Sequence, residues 1–375
     1  MAMRYTNAWI FTPKGFVLGS FEVENGRFVS VTPGGHGGGV DLRGAKVIPG
    51  LVDVHTHGNS GHDFSDGDEQ GLRAMAAYEG KHGVTSFLPT SMTLPYDVLE
   101  KAFATARAVA DNPDPGAARV LGIDMEGPFC SEKKKGAQNP AYLKDPDLAF
   151  FRGLNESCGG LVKIVVVAPE LPGAVEFIKA AAKDCVVSIA HTDCNYDQAV
   201  EGIAAGCSHL THLYNAMPSL HHRDPGPIGA CAESENVMAE LICDGVHIEP
   251  AAVKAAFKLF PGRICLISDS MRACGMPPGE SDLGGQKVYI HGRKATLADG
   301  TIAGSATNLY DCMRTAIEFG IDETEAILAA TLNPARSAGL ADQVGAIAPG
   351  LYADFVVCDW SLSPWKVFIG GEEVK

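Results

Sequence analysis

The chain has no CxxC pair among its eleven cysteines, no apolar run of the roughly 18 residues a bilayer span needs, and no GxGxxG behind an early strand. The first absence goes with an odd cysteine count and single cysteines set in apolar runs such as Leu241-Ile242-Cys243 and Ile264-Cys265-Leu266. It argues against a disulfide framework and predicts buried free thiols in a reducing, cytoplasmic setting. The second leaves nothing to cross a membrane. The N-terminus does not read as a signal peptide, because Arg4 and Lys14 flank only a short apolar stretch broken by Asn7, Thr12 and Pro13. The third removes a phosphosugar-binding dehydrogenase from consideration. Positive charge is also scarce, with 30 Lys and Arg against 45 Asp and Glu and a net charge of -15. An acidic surface repels phosphate backbones and anionic lipid, so neither nucleic acid nor a membrane surface is an expected partner. A small anionic substrate stays open, because basic residues close to a site override the global field.

What is present is an ordinary globular balance, 46% hydrophobic and 20% charged, over 375 residues. That length suits one large domain with a small accessory one. Residues 1–46 read as short strands, with alternation over Phe16–Val23 and Arg27–Val31 around the turn Glu24-Asn25-Gly26. The run Gly34–Gly39 precedes no helix pattern and reads as a flexible turn. Residues 345–375 read the same way, with strands at Ala353–Cys358 and Trp365–Ile369. Neither end is long enough for its own core, so the two are expected to pair into one small β-sandwich domain. Between them, over 47–344, eight apolar runs alternate with helical stretches such as Asp97–Ala110 and Gly173–Lys183. The runs are Val47–His55, Ser86–Thr90, Val120–Glu126, Val162–Ala168, Val186–His191, His209–Leu213, Met238–Cys243 and Ile264–Asp269. Such alternation implies an α/β fold with a parallel sheet, and eight units favour a (β/α)8 TIM barrel over an open doubly wound sheet.

In such a barrel the active site lies at the C-terminal ends of the strands. The polar residues of this chain gather there: Asp53, His55 and His57 on strand one, Asp124 and Glu126 on three, His191 on five, His212 on six, Asp244 and His247 after seven, Asp269 on eight. Residues i and i+2 on a strand share a face, so His55 and His57 are placed to bind one metal. His209 and His212 are three apart and face opposite ways; His212, nearer the strand end, is the ligand candidate. Imidazole and carboxylate suit Zn²⁺ and similar ions, which acidify bound water and polarise a carbonyl. A single strand-end His is more often structural, and a single Asp there is often a helix cap. Recurrence across six strands is the specific signal. His36, His62, His82, His209, His221, His222 and His291 are assigned to structure or surface, and Lys133-Lys134-Lys135 to a solvated loop able to attract anions.

The segment Val47–Gly58, with its Pro49-Gly50 and His55-Thr56-His57, resembles the first-strand signature of the amidohydrolase superfamily. Met125–Phe129, Lys135-Gly136-Ala137, His212–Met217, Asp244–His247, Asp269, Leu283-Gly284-Gly285 and Ala303-Gly304-Ser305 resemble the N-acetylglucosamine-6-phosphate deacetylase family, in order and over nearly the whole chain. The resemblance implies Glu126, His191 and His212 as principal metal ligands, with His55 and His57 as the pair that some members use for a second metal. It implies one or two divalent ions, Zn²⁺ first, with Fe²⁺, Mn²⁺ or Co²⁺ sharing the same ligand preferences. It makes Asp269 the acid/base that takes a proton from the attacking water and returns one to the departing amine. Asn215, Ala216 and His247 match substrate-contacting positions, and Arg223 matches a residue that meets the sugar phosphate. A homodimer is also implied, with Arg223 reaching the neighbouring subunit's site. One position departs from the pattern: the family usually has His where this chain has Gln138, which can donate a hydrogen bond to a developing oxyanion but cannot carry a proton. That leaves the sugar open, N-acetylgalactosamine-6-phosphate being the alternative. Rival readings are another amidohydrolase (a deaminase, cyclic amidase or N-acyl amino acid deacylase) and a non-catalytic barrel. The first is weakened because Lys163 lies at the start of strand four, where many such relatives carry a carboxylated Lys at its end.

Overall fold

The protein's structure, a computed structural model, describes residues 2–35 and 37–375. His36, and with it the centre of the glycine-rich run, lies outside the described residues. The apolar runs form parallel strands. Ile123–Met125, Val162–Val167, Val186–Ile189, Cys207–Leu210, Met238–Ile242 and Ile264–Ile267 make one sheet in sequence order, and Leu51–Thr56, Val84–Pro89 and Arg119–Val120 make a second. Parallel bridges join the two sheets at both seams, Thr90 with Asp124 and Thr56 with Ser270. At the second seam Asp269 N–H donates to the His55 carbonyl at 3.0 Å and His57 N–H to the Ser270 carbonyl at 2.8 Å. In chain order these are eight strands, the third being in two pieces either side of Gly122. Their side chains are buried almost throughout, as parallel strands require when helices cover one face and a packed interior fills the other.

The helices start where a side chain can satisfy the free N–H groups of the first turn. Asp68 caps Glu69–Lys81, Asp147 caps Leu148–Ser157, Asn195 caps Tyr196–Ala205 and Asn308 caps Leu309–Glu318. Their apolar faces, such as Leu72, Met75 and Ala76 on the first and Leu99, Phe103 and Ala106 on Tyr96–Asp111, enter the main core outside the strands. None of the described helices is long and apolar enough to cross a membrane. All eleven cysteines are free, and ten of them are buried, Cys185 being the exception.

The two chain ends meet in one seven-stranded sheet. Its order is Glu372–Glu373, Pro364–Ile369, Phe355–Cys358, Val40–Pro49, Met3–Thr12, Gly15–Glu24, Arg27–Pro33. The Asn25-Gly26 hairpin turn has φ of 50° and 76°, the left-handed pair that such a tight turn demands. In a flat sheet, strands about 4.8 Å apart would hold Phe21 and Phe355 about 14 Å from each other. Their ring centroids are 5.0 Å apart, and Tyr5 meets Phe368 at 5.7 Å. The sheet therefore curls over a small core of its own, which also includes Phe28 and Val47.

Two local features differ from the sequence expectation. The first strand does not run continuously over Val47–His55. The chain pairs with Phe355–Cys358 as far as Pro49 and enters the second sheet only at Leu51. Gly50 makes the crossing, and a Cβ there would stand 2.1 Å from Thr85 Oγ1, so the two layers touch too closely for any side chain. Second, the segment after strand eight forms a four-stranded antiparallel sheet, Gly279–Leu283, Gln286–His291, Lys294–Thr296 and Ile302–Ser305, around Leu283, Val288, Ile290 and Ala303.

Candidate active site

A cavity of about 400 Å³ opens at the C-terminal ends of the parallel strands. Its floor is built from the strand ends and its wall partly from Leu283, Ile302 and Gly304 of the added antiparallel sheet. His191, His212 and Asp269 each sit where the chain leaves a strand, with φ of 43°, 33° and 46°. Non-glycine residues in this region are strained, and such strain gathers at functional sites. Tyr214 and Ala216, at φ of 78° and 50°, continue the pattern in the turn after strand six.

Two donor groups share Glu126. In one, Glu126 Oε1 lies 3.1 Å from His191 Nε2 and 3.0 Å from His212 Nε2, and the two imidazole nitrogens are 3.2 Å apart. In the other, His55 Nε2 and His57 Nε2 are 3.4 Å apart, and His57 Nε2 is 3.4 Å from both Glu126 Oε2 and Asp269 Oδ1. Asp269 Oδ1 is also 3.6 Å from His55 Nε2. A tetrahedral ion with bonds of about 2.1 Å needs donors about 3.4 Å apart, and octahedral edges are near 3.0 Å, so both groups fit a divalent cation. The opposite ring nitrogens are fixed by acceptors: His191 Nδ1 by the Lys134 carbonyl at 2.9 Å, His212 Nδ1 by the Asn215 carbonyl at 3.2 Å, His57 Nδ1 by the Thr90 carbonyl at 3.1 Å. Each Nδ1–H is thereby engaged and each Nε2 turned toward the shared carboxylate.

The electrostatics follow from this packing. Burial opposes charge on Glu126, but the imidazoles of His191 and His55 outweigh it and hold the carboxyl well below its usual range. Burial likewise opposes charge on Asp269, and His55 and His57 reverse the effect, so Asp269 is held low as a carboxylate. His247 donates from Nδ1 to Asp244 Oδ2 at 2.8 Å, and Asp244 also accepts from the Val246 and His247 N–H groups. For His247 burial is outweighed by Asp244, which raises its pKa.

The structure brings His57, Glu126, Gln138, His191, His212, Asn215, Ala216, His247 and Asp269 together on the cavity lining, with His55 directly behind. It does not bring Arg223 there. That residue is exposed on the loop after strand six, with Nη1 2.6 Å from His222 Nε2. Gln138 is buried and oriented without ambiguity: its Oε1 accepts the Thr93 N–H at 2.7 Å, so its Nε2 must donate to Glu126 Oε2, also at 2.7 Å. Lys133 and Lys134 line the cavity. Lys133 pairs with Asp193 at 2.9 Å, while Lys134 has no acidic partner among the described residues. Lys163 stands second in strand four, far from its C-terminal end. Sequence reasoning missed Glu240, in the middle of an apolar strand. Its fully buried carboxylate meets His55 Nδ1 at 3.1 Å and His209 Nε2 at 2.8 Å. The only signal was an acid inside Met238–Ile242, where every neighbour in the strand is apolar.

The amidohydrolase family model matches residues 46–374 of the chain. The N-acetylglucosamine-6-phosphate deacetylase of Bacillus subtilis (strain 168) is 38% identical over 317 residues, spanning 83% of this chain and 80% of the relative. The N-acetylgalactosamine-6-phosphate deacetylase of Escherichia coli O157:H7 is 34% identical over 336 residues, spanning 89% of each. Among solved structures, a mutant N-acetyl-D-glucosamine-6-phosphate deacetylase from Mycobacterium smegmatis, in complex with N-acetyl-D-glucosamine-6-phosphate, superposes with a TM-score of 0.93 at 32% identity, covering 100% of this chain and 99% of the other.

Proposed function

The chain belongs to the amidohydrolase family, and from that premise we propose that it hydrolyses the acetamido group of N-acetylglucosamine-6-phosphate to glucosamine-6-phosphate and acetate. The observation that carries the reading is the pair of donor groups joined at Glu126, with Asp269 beside them on the cavity floor. A divalent cation held by Glu126, His191 and His212, or by His55 and His57 with Glu126, supplies Lewis-acid polarisation of the amide and lowers the pKa of water. The chain's own groups do the rest. Asp269, whose Oδ1 lies 3.4 Å from His57 Nε2 and 3.6 Å from His55 Nε2, accepts a proton from water as the oxygen attacks the acetyl carbon, then delivers a proton to the amine as the C–N bond breaks. His247 and Asn215 orient the sugar, and Ala216 borders it. Lys134 offers a cation to the phosphate from within the same chain. Gln138 holds Glu126 with one amide hydrogen and directs the other toward Met92 Sδ at 4.0 Å, a weak acceptor that the carbonyl oxygen would replace.

The two parallel sheets and their bridges support a closed (β/α)8 barrel over about 47–344, and the curled end sheet supports a sandwich-like module from 1–46 and 345–375, with strand Val40–Pro49 crossing the first boundary. Zn²⁺ is the first candidate ion, on the mixed imidazole and carboxylate donors, with Fe²⁺, Mn²⁺ and Co²⁺ as substitutes. The buried free thiols support a reducing cytoplasm. Arg223, exposed in its own chain, is proposed to reach the phosphate of a second subunit in a homodimer. Mixed dimers of Arg223→Ala and Asp269→Asn then regain activity, and failure of that complementation counts against the shared site.

The E. coli O157:H7 relative favours N-acetylgalactosamine-6-phosphate as the second reading. Acetate release from the two sugar phosphates, from unphosphorylated N-acetylglucosamine and from an N-acetyl amino acid, each with and without Zn²⁺, tests both. Metal-dependent turnover of one sugar phosphate settles the substrate; turnover of the amino acid alone overturns the proposal.

A further inference from the structure

Beneath the cavity floor lies a second layer of buried polar groups that touches both donor groups from below. Glu240, on strand seven, is fully buried. Its Oε2 accepts from His55 Nδ1 at 3.1 Å and from the His212 backbone N–H at 3.2 Å, and its Oε1 accepts from His209 Nε2 at 2.8 Å. His209 is held in turn by a short contact from Ser337 Oγ to its Nδ1. Asp124 Oδ2 also faces His55 Nδ1, at 3.3 Å, and Asp124 Oδ1 has no hydrogen-bond partner among the described residues. His55, Asp124 and Glu240 therefore converge on one point.

We infer that Glu240 is a positioning residue that fixes His55 with Nδ1–H inward and Nε2 toward the cavity, and that it ties the His55/His57 group to the Glu126/His191/His212 group. This rests on the proposed metal-holding role of those groups. The chain of contacts is one-directional: Ser337 sets His209, His209 donates to Glu240, and Glu240 holds the side chain of one ligand and the backbone of another. Glu126 joins the two groups from the cavity side, and Glu240 joins them from the opposite side. His55 is engaged through its imidazole, so its group depends on Glu240 most. His212 is engaged only through its backbone, so its group depends on Glu240 less. Removing an acceptor of this kind typically lowers metal affinity about 10- to 100-fold.

The test is cobalt binding to the metal-stripped full-length protein: cobalt per chain, affinity by competition with a chelating dye, and the visible spectrum of the bound ion. Glu240→Gln keeps the shape and removes the charge. The expected result is a fall in affinity of about 10- to 100-fold with an altered cobalt spectrum, and a smaller fall in Asp124→Asn. Cobalt content, affinity and spectrum unchanged in Glu240→Gln overturn the inference, as does a larger loss in Asp124→Asn. So does a third equivalent of cobalt that disappears in Glu240→Gln, since Glu240 is then a ligand itself. Wild-type protein that takes up no cobalt overturns instead the metal-dependent reading. Should Glu240→Gln fail to fold, nitrogen-15 histidine spectra of the zinc-loaded wild type decide, with His55 assigned by its absence in His55→Gln. A protected Nδ1–H that persists in Asp124→Asn supports the role of Glu240, and its loss in Asp124→Asn or a proton on Nε2 overturns it.

Discussion

At the scale of single residues, Asp269 carries the sharpest expectation. Asp269→Asn should fold and retain metal yet lose about 10²- to 10⁴-fold in turnover, because proton transfer is removed while the shape survives. Acetate release and metal content on one preparation check it, and near-normal turnover would remove the acid/base role. His247 gives a pH dependence. Its pKa is raised by Asp244, so its proton is bound more tightly in the folded state. The stabilisation is fully present below the unfolded value of about 6.5 and disappears as pH rises through the raised folded value. The same deprotonation removes a cation from the cavity, so KM for the sugar phosphate should climb on the alkaline side in the wild type and not in His247→Gln. A pH series of KM for both proteins reads this directly, and parallel rises would place the effect elsewhere. Most of these residues were legible as polar groups at strand ends. Gln138 was legible as a departure from a pattern, but its bond to Glu126 was not, because it depends on a loop bringing Thr93 alongside. Glu240 was hidden because the sequence shows that an acid sits in an apolar strand but not which histidines converge on it.

At the scale of elements, the eight parallel strands were legible because buried strands are written as apolar runs, and the polar residues that end them mark one rim. The antiparallel strands after strand eight were not. Segments such as Gly279–Leu283 and Lys294–Thr296 lie partly exposed, carry charges, and bury too few side chains to show a period. The left-handed backbone at His191, His212 and Asp269 was equally invisible, since these residue types carry no obligation to adopt it. Gly50 tests the junction between layers. Gly50→Ala should destabilise the protein by about 1–3 kcal/mol, because the new Cβ meets Thr85 with no room to withdraw. The urea midpoint measures it, and an unchanged midpoint means the two sheets part more easily than their packing indicates. Thr85→Ala in the same chain should recover only part of the loss, because the Cβ it keeps still stands 2.7 Å from the new one.

At the scale of the whole molecule, the site joins strands that are distant in sequence, so an ion held there braces the parallel sheets together. Stripping metal should lower the melting temperature, by an amount equivalent to about 2.7 kcal/mol when the ion stands at 100 times its dissociation constant. Calorimetry with and without chelator checks this, and equal melting would mean the ion contributes to chemistry alone. Ten buried cysteines, spread over the parallel strands, their helices and the end sheet, make the molecule its own clock. Burial pushes the thiols at Cys194, Cys243 and Cys274 up to about 12, so a folded molecule offers almost no thiolate to an alkylating reagent. Mass spectrometry of alkylated chains then counts opening events: one mass shift of ten or eleven labels means the molecule comes apart as a unit. A population labelled at Cys358, the one cysteine in the curled end sheet, but at none of the other nine buried cysteines means that the chain ends peel away while the parallel sheets stay shut.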